Sequence, residues 1–340
     1  MPTKEDLKYF QSMPLDIKVA MTRTRIREWV NYYGESGTYI SFSGGKDSTV
    51  LFHLVRELYP DIPAVFVNTG LEYPEIQAFA KSLPNVTILR PTVPFNEVLK
   101  VKGYPLISKS IAHNISIARR SPDGNVAKNI VFNENKKSRF SAYKYKDLIN
   151  ADFLLSRICC DITKKDPVKK YEHQTQRTAF VGTMTSESAI REAQWLHNGC
   201  NAFECKRPIS QPMSFWTEND VLEYIYQNDI KIASVYGSVI KGDGQLSFCD
   251  DDRPCKYETT GCKRTGCIFC GFGAHLEKKG EGRFLKLKET HPKQYNYCIR
   301  GGEYDIDGLW KPNKDGLGMG HVFDELNKLY SKGGKPFIDY

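Results

Sequence analysis

The chain has 340 residues, 40 % of them hydrophobic and 26 % charged, which excludes a small disulfide-stapled module, and an aromatic content of 12 % argues against a disordered tail. No apolar run approaches the ~18 residues of a transmembrane helix, and Met1 to Met21 mixes Lys, Asp and Glu with apolar residues in place of a signal-peptide core. The expectation is a cytoplasmic protein with no membrane partner. The formal charge of +8 is unevenly spread: residues 100–148 hold eleven Lys and Arg against three Asp and Glu, an excess equal to that of the whole chain.

In chain order, Ile17, Val19, Ala20, Ile26, Trp29 and Val30 predict an amphipathic helix over 16–33. Thr38 to Phe42 is β-prone and ends at a glycine turn, after which Val50, Leu51, Leu54 and Leu58 predict a helix over 47–58. A nearly continuous apolar run, Ile62 to Val67, reads as a parallel strand covered on both faces. A helix over 74–82 and strands over 86–89 and 178–181 follow. This β-α-β-α-β order predicts a doubly wound parallel α/β sheet. Residues 110–150 break the pattern and read as a basic insertion. Thr217, with Asp220 three residues on, predicts an N-cap and a helix over 217–227. The expected division is a nucleotide-binding domain over 1–240 and a loop-rich, cysteine-rich region over 241–340.

The turn Ser43-Gly44-Gly45-Lys46-Asp47-Ser48 joins a strand to a helix. Two glycines let a ligand approach the backbone, and the unpaired N–H groups of the first helical turn lie at the positive end of the helix dipole. Ser43 and Ser48 add hydroxyls. The arrangement suits a phosphate or pyrophosphate, yet it is neither the Walker loop nor the dinucleotide fingerprint. It resembles the PP-loop of ATP pyrophosphatases and phosphoadenosine phosphosulfate reductases. Later segments follow that family in order: Val67-Asn68-Thr69-Gly70-Leu71-Glu72-Tyr73-Pro74-Glu75, with Asn68 where the family has Asp; Val181-Gly182 through Arg191; Trp216-Thr217 with Asp220-Val221; and Ile230 to Tyr236. The resemblance implies an adenine nucleotide alpha hydrolase-like fold that binds ATP with Mg²⁺ through Ser41, Ser43, Gly44, Gly45, Lys46, Asp47, Ser48, Asn68, Thr69, Gly70, Gly182 and Arg191. Lys46 would neutralise the leaving pyrophosphate, Asp47 would hold Mg²⁺ and Arg191 would clamp a phosphate; Lys109 is a further cationic candidate or a surface lysine.

Ten cysteines in a cytosolic chain suggest metal more than disulfides. Cys159-Cys160 resembles the Cys-Cys stretch of assimilatory adenylylsulfate reductases. That resemblance implies a [4Fe–4S] cluster held by Cys159, Cys160, Cys267 and Cys270. Cys262 is an alternative ligand or a sulfur carrier, and a Cys₄ zinc site drawn from Cys249, Cys255, Cys262, Cys267 and Cys270 is the other reading. Cys200 and Cys298 stand alone and read as small buried side chains. The Glu-Cys-Gly-(Ile/Leu)-His motif of the reductases is absent, so reduction of adenylylsulfate or phosphoadenylylsulfate ranks second.

The first expectation is therefore an adenylating ATP pyrophosphatase in sulfur transfer, similar to the iron–sulfur enzymes of DNA phosphorothioation. A nucleic-acid acceptor would lie along 100–148, where Arg119, Arg120, Lys136, Lys137 and Arg139 interleave with Phe132, Phe140, Tyr143 and Tyr145. A solvated surface segment is the alternative there. A sulfur-donor protein and self-association are compatible partners, and a non-catalytic nucleotide or nucleic-acid binding subunit is the third reading. Asp250-Asp251-Asp252 reads as a solvated loop.

Overall fold

β-Branched and aromatic runs separated by apolar-striped helices build a six-stranded sheet. The structure is a computed structural model that describes residues 2–135, 141–242 and 256–340. The strands are β1 (Thr38–Phe42), β2 (Ala64–Val67), β3 (Val86–Leu89), β4 (Thr178–Val181), β5 (Asn201–Ala202) and β6 (Ile209–Ser210). Their spatial order is β3-β2-β1-β4-β6-β5, parallel throughout except for the antiparallel β5–β6 edge. The order reverses direction between β1 and β4. In open α/β sheets that reversal opens a crevice at the carboxyl ends of the two strands. β1 delivers the glycine turn there and β4 delivers Gly182.

The fold class is the expected one, and each predicted element over 16–33, 38–42, 47–58, 74–82, 86–89, 178–181 and 217–227 forms within two residues of its predicted bounds. The helix Lys46–Leu58 turns Val50, Leu51, Leu54 and Val55 fully inward, spacings that place them on one helical face. They join Ile40 and Phe42 of β1, Phe66 of β2, Phe180 of β4 and Trp216 in one core.

The chain divides into two compact units that do not follow the expected boundary near residue 240. The first unit comprises Met1–Asn68, Glu72–Arg90 and Pro167–Thr265; the second comprises Thr69–Leu71, Pro91–Asp166 and Gly266–Tyr340. Residues 110–150 fall in the second unit, within the stretch Pro91–Asp166 that interrupts the first unit in sequence. The physical reason is the helix Lys109–Arg120, whose Ile111, Ala112, Ile115 and Ala118 are buried within the second unit. There Leu106–Ile107 pairs in parallel with Gly271–Phe272, and the helix Met319–Tyr330 buries Met319, Val322, Phe323 and Leu326. Gly103, at φ +95°, lies where an added Cβ would stand 2.2 Å from the Leu154 carbonyl oxygen, so no other residue fits that turn.

Candidate nucleotide turn and cysteine group

In the first unit the turn after β1 is held by its own hydroxyls. Ser48 Oγ donates to the Gly45 carbonyl at 2.9 Å and accepts the Ser43 N–H at 3.2 Å; Ser43 Oγ accepts the Gly45 N–H at 3.3 Å. Gly44 is left-handed at φ +72°, and a Cβ there would meet Ile76 Cγ2 at 2.6 Å. A Cβ on Gly182 would come within 3.0 Å of the Asp47 carbonyl oxygen, so the end of β4 lies directly against the first turn of the helix.

Lys46 is only 4 % exposed. Its Nζ donates to Glu218 Oε1 at 2.6 Å and to the Lys263 carbonyl at 2.7 Å, and stands 6.0 Å from the Tyr236 ring centre. Burial raises the Glu218 carboxyl, but the hydrogen bond and charge of Lys46, with Arg264 and Lys263, outweigh it and hold Glu218 below its ordinary value. The Tyr236 hydroxyl bonds Thr265 Oγ1 at 2.5 Å and takes the backbone N–H of Lys46; burial pushes the phenol up to about 12. Glu218, Lys263, Arg264 and Thr265 were not singled out in the sequence. Their only signal was proximity to matched motifs: Glu218 sits two residues before Asp220, and the other three precede Cys267.

Asp47 follows Lys46 in the first turn of the helix. Burial raises its carboxyl above the ordinary range, with Glu218 adding to the rise against the pull of Lys46 and Arg264. Its Oδ1 is buried with no hydrogen-bond partner among the described residues. Arg191 lies in the field of Asp47, pairs with Glu187 and is lowered by burial and by Arg264. It stands in the first turn of the helix Ala189–Asn198, whose N-cap is Ser188. The structure brings Ser43, Gly44, Gly45, Lys46, Asp47, Ser48, Gly182 and Arg191 into one unit, with Ser41 half-buried in β1. Asn68, which donates its N–H to Leu89 at 2.9 Å, closes β2 in the same unit; Thr69 and Gly70 fall in the second.

Cys159, Cys160, Cys267 and Cys270 all belong to the second unit, whereas Cys262 belongs to the first. Cys159 hydrogen-bonds Cys160, which raises the Cys159 thiol and lowers that of Cys160; burial adds to the first and opposes the second, and Lys109 and Lys164 further lower Cys160. Cys159 also lies in the field of Cys267 and Cys270. Burial raises Cys270, opposed by the Phe272 backbone and by Arg283, whose Nη1 donates to the Cys270 carbonyl at 3.1 Å. Lys109 thus faces the cysteines, within its own unit. Among the described residues, no three His, Cys, Asp or Glu side chains stand together as ready metal ligands. Cys249, Cys255 and Asp250-Asp251-Asp252 lie outside the described residues. Cys298 is fully buried and its thiol pushed well up by burial, while Cys200 is half-buried. A thiolate nucleophile needs exposure and a low pKa, and Cys298 has neither.

Within the basic segment, Arg119 does not face an acceptor as a free surface charge. Its Nη1 donates to the carbonyls of Ala151 and Phe153, each at 2.8 Å. Lys136, Lys137, Arg139 and Phe140 lie outside the described residues. Lys146 folds over the Tyr143 ring at 4.2 Å. Among the described residues, no helix is long and apolar enough to cross a membrane.

A glycine turn at the reversal point of a parallel sheet, feeding a helix that opens on buried Lys46 and half-buried Asp47, defines a nucleotide-binding class of α/β protein. The chain belongs to the phosphoadenosine phosphosulfate reductase domain family, whose model matches residues 37–97 and 110–271. It is 25 % identical over 288 residues to an uncharacterized protein of Methanocaldococcus jannaschii, covering 80 % of this chain and only 50 % of that protein. It is 26 % identical over 247 residues to sulfate adenylyltransferase subunit 2 of Klebsiella pneumoniae, covering 64 % of this chain and 67 % of that protein. A phosphoadenylyl-sulfate reductase of Candida auris, solved with phosphate, aligns over 69 % of this chain and 91 % of its own at 11 % identity and a TM-score of 0.36.

Proposed function

We propose that the chain is an ATP pyrophosphatase that adenylates an acceptor in the service of sulfur transfer. The observation that carries this reading is Asp47: a half-buried carboxylate whose Oδ1 is buried and unpartnered among the described residues, raised by burial, beside Lys46 and in the field of Arg191. Such a group is costly unless a cation meets it, and Mg²⁺ bound to phosphates is the cation a glycine turn supplies. The matched sulfate adenylyltransferase subunit, an enzyme component named for adenylyl transfer, supports the ATP part of the reading.

In this mechanism the first-turn N–H groups and Ser43 and Ser48 hold the β- and γ-phosphates. An acceptor oxygen forms a bond to the α-phosphorus, the α–β bridging bond breaks, and the electron pair leaves on pyrophosphate. Lys46 stabilises that developing charge, after leaving Glu218, and Arg191 holds a phosphate oxygen in exchange for Glu187. Cys159, Cys160, Cys267 and Cys270 would hold a [4Fe–4S] cluster by donor chemistry, four thiols in one unit with Lys109, Lys164 and Arg283 to offset the charge, although among the described residues they do not already stand together as a ligand set. When bound, such a cluster would supply electrons or hold sulfur; zinc on the same thiols would supply structure alone. A nucleic-acid phosphate or base is the proposed acceptor, contacted along 100–148, with a sulfur-donor protein as partner.

The test is product analysis on anaerobically purified protein given ATP, adenylylsulfate or phosphoadenylylsulfate, with Mg²⁺ and reductant. Pyrophosphate from ATP is the expected result. Sulfite from either sulfonucleotide, with no pyrophosphate from ATP, would replace this reading with that of a reductase.

A further inference from the structure

The second unit contains a cavity of about 470 Å³ that plays no part in the turn or in the cysteine group. Its polar wall is Lys102, His113, Arg119, Arg120 and Arg157, with Ser116 and Ser156; its apolar wall is built from Ile115, Leu154 and Leu155. The single acid on the wall, Asp161, is engaged by Lys165 at 2.7 Å. The Arg119 guanidinium is fixed by two carbonyls through Nη1, which leaves its Nε and Nη2 without hydrogen-bond partners among the described residues. Arg120 is tied through Nε to the Ser116 carbonyl at 3.2 Å, and its terminal nitrogens are likewise unpartnered among the described residues.

Four cations and an imidazole line one cavity with a single acid, Asp161, that is already paired; Asp152, off the wall, lies in the field of Arg119 alone among them. That arrangement is self-repelling without an anion. Burial together with Arg157 and Arg120 lowers His113, the direction expected of an imidazole in a field of like charge. The volume lies within the range of small-ligand pockets and accommodates one nucleotide. The apolar wall offers a face for a base or sugar while the arginines take the phosphate, which they can hold through two nitrogens each.

We propose that this cavity binds a phosphate ester of nucleotide size, with Arg119 and Arg157 on the phosphate and Leu154 and Leu155 against the ligand's apolar part. The site lies wholly within the second unit; its strand-end form rests on the proposed nucleic-acid acceptor along 100–148, whereas binding of a free nucleotide does not, and a binding assay without ATP reads either apart from adenylation. The ligand is either a free mononucleotide or the terminal nucleotide of a strand.

Equilibrium dialysis with radiolabelled uridine 5′-monophosphate and with a short 5′-phosphorylated oligouridylate tests it, uracil being chosen to avoid an adenosine site. The comparison is between the unaltered chain and Lys102→Glu/Arg120→Glu, two exposed positions whose replacement leaves the core intact; equal melting temperatures check this. The expected result is one equivalent bound, weakened about tenfold or more in the variant. Equal affinity for both probes assigns the site to a free nucleotide, and binding of the oligonucleotide alone assigns it to a strand end. The His113 ring resonance serves as a second readout, because a bound phosphate should move its titration to higher pH. Unchanged binding in the variant, or no binding of either probe at millimolar concentration, overturns the proposal.

Discussion

The ammonium of Lys46 and the carboxylate of Glu218 meet at 2.6 Å, from residues 172 apart in sequence, at the mouth of the glycine turn. The lysine proposed to receive the leaving pyrophosphate is thus already neutralised, and Tyr236 takes the Lys46 backbone N–H that a phosphate oxygen would take. Nucleotide binding on this turn must displace protein groups that imitate it. Glu218→Gln should therefore tighten pyrophosphate binding by roughly threefold, a modest gain because Glu218 is half-exposed and screened. Calorimetric titration of the variant reads it, and weaker binding would mean that Glu218 contacts the ligand instead of competing with it.

Asp47 gives a prediction of stability against function. Its folded carboxyl is raised by burial, so the charged form is penalised in the folded state. The stability this group contributes is present below its unfolded pKa and lost as pH rises through the folded value. Asp47→Asn should thus raise the melting temperature at neutral pH, on the order of 1–2 °C, with the difference closing in acid. The same variant should lose the stabilisation that ATP with Mg²⁺ gives the unaltered chain. Thermal melts across pH, with and without nucleotide, separate the two effects.

Gly44→Ala places a methyl group 2.6 Å from the buried Ile76 and asks an L-residue to hold φ +72°. A cost of about 1–3 kcal/mol is expected, with loss of nucleotide binding. An alanine variant that binds ATP with unaltered affinity would show that the turn tolerates a different path.

Cys267→Ser should remove iron and the brown colour from anaerobically purified protein while the turn still binds nucleotide. Iron quantitation against protein is the measurement. Full iron retention would sink the four-cysteine ligand set, and stoichiometric zinc in the unaltered protein would favour the alternative metal.

What the sequence made legible is local. The apolar stripe Val50, Leu51, Leu54 and the β-prone run before Gly44 were readable because period and turn chemistry act over a few residues. So was the Thr217–Asp220 capping box, which forms with Asp220 N donating to Thr217 Oγ1 at 3.3 Å. That Asp220 also meets buried Lys18 at 2.7 Å was not readable, since 202 residues separate them. The same distance hid Glu218 from Lys46. The packing of 110–150 was hidden for a related reason: basic residues suggested a surface excursion, but Ile111, Ile115 and Ala118 lie inward on the helix Lys109–Arg120. Arg119 reads as a cation for nucleic acid in a list of charges and as a clamp on two carbonyls in three dimensions.

The interleaved unit boundaries set the order in which the two units can be completed during synthesis. The polypeptide passes into the second unit three times, first for the three residues Thr69–Leu71. β1 gains its parallel neighbour β4 only after Pro91–Asp166 has been synthesised, and Leu71 gains the N–H of Ile268 later still. Neither unit can therefore be completed on the ribosome before the other is largely exposed, and no single truncation yields either one whole. A cofactor held by all four cysteines of the group can be inserted only after Cys270 has been synthesised.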